Sequence, residues 1–87
     1  MGAKFDWDLG NRDKCSARVP LAEIEAVLVD PKTIVAPDPF EGETRYRALG
    51  KNHEGRGVFV VFTIRMKSGE LWFRPLSVHY VHGEKKK

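Results

Sequence analysis

The chain has 87 residues, 41% of them apolar, and a formal net charge of +3. That length fits one small domain over 1–87 with a modest core, and no run approaches the ~20 apolar residues of a membrane span. The lone Cys15 excludes an internal disulfide and Met1-Gly2-Ala3-Lys4 lacks the apolar stretch of a signal peptide, so a cytoplasmic protein is expected.

Lys4-Phe5-Asp6-Trp7-Asp8 alternates apolar and polar residues and predicts a short opening strand. Asp8 suits the N-cap of a polar helix over Leu9 to Ala17, with Cys15 as a small residue on it. Pro20 fits the first turn of a second helix. Leu21, Ile24, Val27 and Leu28 share one face of that helix, Glu23 and Glu25 point to solvent, and Asp30-Pro31 stops it. A short strand over Thr33–Ala36 follows, then a breaker-rich loop from Pro37 to Glu43.

Thr44–Gly50 alternates, with Arg45, Arg47 and Leu49 on one side and Thr44, Tyr46 and Ala48 on the other. Gly57–Arg65 sets Val58, Val60, Phe62 and Ile64 on one face and Phe59 and Val61 on the other, the pattern of a central strand. Lys67-Ser68-Gly69-Glu70 is a turn that returns Leu71–Val81 antiparallel. Pro75 inside that last run demands an edge position or a bulge. The predicted class is α+β, with helices packed on one face of a mostly antiparallel sheet.

Charge is divided along the chain. Residues 1–43 hold 5 Lys/Arg against 9 Asp/Glu, and residues 44–87 hold 10 against 3. The strand-rich half is therefore strongly basic, and it holds all three histidines. A cationic surface on strands suits a polyanion, of which nucleic acid is the commonest.

In order and spacing the chain resembles the BrnT toxins of type II toxin–antitoxin modules, which share the RelE-like ribonuclease fold. The matching pieces are Phe5-Asp6-Trp7-Asp8, Asn11, the helix Leu21–Leu28, Asp30-Pro31 and Pro37-Asp38-Pro39. They continue with Glu43-Thr44-Arg45-Tyr46-Arg47-Ala48-Leu49-Gly50, with Gly55-Arg56-Gly57-Val58-Phe59-Val60-Val61-Phe62-Thr63, with Arg65, and with Arg74-Pro75-Leu76-Ser77. The resemblance implies a RelE-like endoribonuclease that inhibits translation and is neutralised by a cognate, BrnA-like antitoxin. It implies contact with DNA only through that complex. Two departures stand out. Ser16-Ala17-Arg18-Val19 replaces a Lys-His-Gly-Val stretch, and Ser77-Val78-His79 replaces Ser-Ala-Arg, so a histidine stands where the family has an arginine.

Metal-free RNA cleavage needs a base for the 2′-hydroxyl, a cation for the charged phosphorane and an acid for the leaving oxygen. Arginine matches a phosphate with its planar fork, and histidine titrates near neutrality. On the family mapping Arg56, Arg65 and Arg74 fill matched basic positions and His79 replaces the arginine, so these four are the catalytic candidates. Arg45, Arg47, Trp72, Tyr80 and His82 are the candidate RNA contacts, the aromatics as stacking surfaces for bases. Each has a plainer reading: solvated cations for the arginines, His53 and His82, a half-buried strand histidine for His79, and core packing for Trp72, Phe73 and Tyr80. On a regular strand Arg74 and His79 have opposite parity, and only a bulge at Pro75 lets them share a face. No cofactor is expected. His79 and His82 lack the companions of a metal site, and no Gly-x-Ser-x-Gly elbow or phosphate-cradling loop is present. The alternative to a toxin enzyme is a module of the same fold, weakened in catalysis, that acts mainly inside an antitoxin complex.

Overall fold

The N-terminal segment is pinned by a small set of polar bonds. In a computed structural model, which describes residues 4–39 and 42–81, strand β1 (Lys4–Phe5) leads into helix α1 (Leu9–Ser16) through a capping box. The Asp8 carboxylate accepts from the Asn11 backbone N–H at 3.0 Å, and the Asn11 side chain accepts from the Asp8 N–H at 2.7 Å. Asn11 is buried, and its amide also donates to the carbonyls of Asp6 (3.1 Å) and Pro75 (2.9 Å). Cys15, one turn on, is the other buried residue of α1. Asn11 and Cys15 stand at i, i+4 and form the one narrow face that this polar helix buries.

Helix α2 (Leu21–Val29) starts at Pro20 and buries Ile24 and Val27. Asp30 ends it in extended backbone, as expected before a proline. The Thr33 hydroxyl then donates to the Val27 carbonyl at 2.7 Å, satisfying one of the helix's last acceptors.

Strands β2 (Ile34–Asp38), β3 (Arg45–Lys51), β4 (Gly57–Lys67) and β5 (Glu70–Tyr80) complete a five-stranded sheet of order β1-β5-β4-β3-β2. It is mixed: β1 runs parallel to β5, and the other pairs are antiparallel. β4 is central, as its two apolar faces predict. β2 is longer than expected, because Pro37 and Asp38 continue the strand instead of opening the loop. A proline is tolerated there because β2 is an edge strand.

Both helices lie on one face. Ile24, Val27, Cys15 and Val19 pack against Ala48, Val58, Val60, Phe62 and Val78, and burying each large apolar side chain contributes roughly 1.5–3 kcal/mol. Gly50 marks the closest approach of α2 to the sheet. A Cβ added there would collide with the Thr33 side chain and stand 2.9 Å from a Val27 methyl. Glu23 and Glu25 were expected in solvent and are not free. Glu23 accepts from Tyr80 Oη (2.8 Å) and Asn52 Nδ2 (3.1 Å), and Glu25 accepts from Trp7 Nε1 (2.8 Å). Side chains from the sheet and from the segment before α1 reach around α2, which its own periodicity does not reveal.

Candidate RNA-binding face

The face of the sheet away from the helices is the candidate site, and the register fixes its contents in rows. Ile34, Leu49, Phe59 and His79 stand side by side across β2 to β5, followed by the row Ala36, Arg47, Val61 and Ser77. The next row pairs Asp38 with Arg45 and Thr63 with Arg74, and beyond it Arg65 pairs with Trp72, which pairs with Lys4. Lys67 and Glu70 close the hairpin end.

A bulge makes this possible. Val61 pairs with Ser77 but Phe62 pairs with Pro75, so Leu76 is extra. The parity of β5 switches there, and Arg74, Ser77 and His79 come to the same face. Of the two options that Pro75 left open, β5 takes the bulge.

The candidate residues share a face more than they share a point. His79 is exposed opposite Phe59, while Arg65 is exposed six residues further along β4, roughly 20 Å away at the rise of an extended strand. Arg74 lies between them, and its charge is already taken. It reaches Asp8 at 2.6 Å and Asp6 at 3.5 Å, and the hydrogen bond to Asp8 raises its pKa. The capping Asn11 N–H and Arg74 together hold the Asp8 carboxyl below its usual range. Arg74 thus ties β5 to the cap of α1.

Arg56 sits apart, in the turn between β3 and β4. Its guanidinium stacks 3.9 Å over the Tyr80 ring, and Tyr80 faces the helices, opposite Val58. The Glu23 carboxylate holds the Tyr80 hydroxyl's pKa up, and Glu23 itself is held below the usual carboxylate range, first by Asn52 and then by Tyr80. Arg45 pairs with Glu43 at 3.1 Å, and Arg47 reaches Asp38 at 3.8 Å. No ion pair engages Arg65 among the described residues. His53 is exposed beside Glu54 in its loop, as expected of a solvated residue, and His82 lies outside the described residues.

Trp72 is on the helix-free face, where core packing does not account for it. Lys67 lies 4.7 Å and Lys4 5.7 Å from its ring. Those two lysines are anchored to Asp6 (3.1 Å) and Glu70 (3.9 Å) respectively, so the indole is framed by fixed cations. Its Nε1 is buried without a hydrogen-bond partner among the described residues. Phe73 by contrast is half-buried and packs against the core, edge-on to Phe62.

Phe59 was not singled out by the sequence. It is half-buried on the helix-free face with its ring centroid 5.0 Å from that of His79. The signal was present in the odd-numbered apolar residues of β4, which no helix needs. At this end of the sheet a cleft of 720 Å³ opens, lined among others by Ile34, Leu49, Lys51 and Arg56.

Among the described residues no cluster of His, Cys, Asp and Glu could hold a metal ion, and no helix is long and apolar enough to cross a membrane. No protein-family model and no curated protein matches this chain.

Proposed function

We propose that this chain is the RNA-cleaving toxin of a type II toxin–antitoxin module, with a RelE-like fold of the BrnT kind, acting in the cytoplasm without a metal. The observation that carries the reading is the helix-free sheet face, which brings Arg45, Arg47, Arg65, Ser77 and His79 to one surface. Such a cationic strip follows a ribose–phosphate backbone. His79 is the acid–base group. By register Arg47, in the row next to His79, is the cation that stabilises the phosphorane, while Arg56, stacked on Tyr80 on the helix side, lies away from it. Arg65 holds phosphates further along the strand. Arg74 serves the site by fixing β5, since its charge is spent on Asp6 and Asp8.

The test is incubation of the purified chain with RNA in EDTA, together with expression of variants. Cleavage is expected without metal. His79→Ala should abolish it while RNA still binds, Arg65→Ala should weaken binding, and both should relieve growth inhibition with the fold retained. Undiminished toxicity of both variants rejects this site.

The roughly 20 Å between His79 and Arg65 favours one second reading, a module weakened in catalysis that works mainly as the partner of an acidic antitoxin segment. That reading predicts no RNA cleavage and a salt-sensitive complex with the antitoxin.

A further inference from the structure

We infer that Phe59, with His79 beside it, is a stacking site for an unpaired nucleobase. The inference rests on the RNA reading above and adds to it which side chains hold a base. Three observations converge on it. The first is the fate of the aromatic rings. Trp72 is framed by Lys4 and Lys67, Tyr80 is covered by Arg56 on the helix side, and Tyr46, Phe62 and Phe73 pack in or against the core. Phe5 packs on Phe73, and Trp7 packs against the core with its Nε1 bonded to Glu25. Among the described residues this leaves Phe59 and the exposed His79 as the aromatic pair on the helix-free face with no cation over either ring.

The second is geometry. The two ring centroids are 5.0 Å apart and the planes are inclined by 37°, so the rings lean on each other with Phe59 half-buried and His79 exposed. Nucleobases stack on such rings without regard to sequence, because every base has a π-face. Leu49 at 44% exposure and Ile34 at 70% extend the same row as an apolar floor.

The third is charge. Arg47 occupies the next row and Lys51 lines the adjoining cleft, so cations flank the platform where the phosphates on either side of a stacked base would run. An apolar peptide segment would also cover Ile34, Leu49 and Phe59, but it offers no negative charge to the Arg47 and Lys51 cations that border them.

The test uses two 2′-O-methyl oligoribonucleotides that cannot be cleaved, one uniform in uracil and one abasic, so that they share phosphates and differ in bases. Binding to the full chain is followed by fluorescence anisotropy at fixed salt. Phe59→Leu keeps an apolar side chain and the strand, and a thermal melt checks the fold. The expected result is about tenfold weaker binding of the base-bearing strand by Phe59→Leu with the abasic strand unchanged. The wild-type Phe59 and His79 ring protons should also shift upfield when the base-bearing strand is added. Equal loss for both strands, no loss for either, or no binding by the wild type overturns the stacking site. Base-dependent binding without any RNA cleavage rejects only the ribonuclease reading and leaves this one standing.

Discussion

Asn11 shows how much one buried polar side chain can carry. It closes the cap of α1 and also bonds the carbonyls of Asp6 and Pro75, so it joins β1, α1 and the bulged strand β5. Each of those groups would be left without its partner by truncation. Asn11→Ala should therefore cost about 2–3 kcal/mol, the penalty of stranding buried polar groups, and lower the melting temperature by roughly 10 °C or more in a domain of this size. A calorimetric melt checks it. Asn11→Asp is the informative companion: it keeps the cap acceptor but loses the amide donor to Asp6 and Pro75, and should fall between wild type and alanine. Arg74 belongs to the same junction. The sequence marks it as a basic group near a site, and the fold has committed its charge to Asp6 and Asp8.

At the scale of elements, the β4–β5 hairpin is closed by Ser68 at φ 50° and Gly69 at φ 78°. Positive φ at both central residues is the type I′ turn, whose twist suits two antiparallel strands. Glycine adopts this freely, and serine does so at some cost. Ser68→Asn should therefore stabilise the chain by roughly 0.5 kcal/mol, because asparagine visits the left-handed region more readily. Chemical denaturation with an unchanged slope would confirm that only the turn has changed. Alternation in β3 and β4 displayed the two faces of the sheet directly, since each residue's side follows from its parity. In β5 parity failed, because the bulge at Pro75–Leu76 reverses it midway. Pro75 announced an irregularity, but only pairing with β4 located the extra residue. α2 misled differently. Its apolar stripe was legible, whereas the bonds Glu23 makes to Tyr80 and Asn52 come from segments 57 and 29 residues away.

For the whole molecule, cations outnumber acids on the helix-free side of the sheet, while the helix side is mixed. On the helix side α1 carries Arg12 and Lys14 and α2 carries Glu23 and Glu25, while the opposite face bears Lys4, Arg45, Arg47, Arg65, Lys67 and Arg74 with Asp6, Asp38 and Glu70 among them. The excess of base in the second half of the sequence is thus a directional feature of the fold, suited to a polyanion on one side. Two of the acidic groups also make stability depend on pH. Asp8 and Glu23 both have lowered pKa values in the folded chain, Asp8 through its cap and Arg74, Glu23 through Asn52 and Tyr80. A depressed carboxylate contributes stability that is fully present above its unfolded pKa, about 4, and is lost as pH falls through the folded value. The melting temperature should therefore be flat from pH 7 to about 5 and fall below about 4. The double variant Asp8→Asn, Glu23→Gln should be less stable at neutral pH and show a shallower acid limb. Identical acid limbs for the variant and wild type would show that other carboxylates govern acid unfolding.

The order of residues alone carries the elements, their succession and the α+β class, because caps, breakers and hydrophobic periodicity are local properties of the chain. It also determined that the strands carry the base, since composition is not altered by folding. Folding settles which cations are spent on neighbours and puts Arg65 and His79 at opposite ends of one face. Ion pairing, ring stacking and a shift of register are relations between residues far apart in sequence, and they exist only once the strands have found their partners.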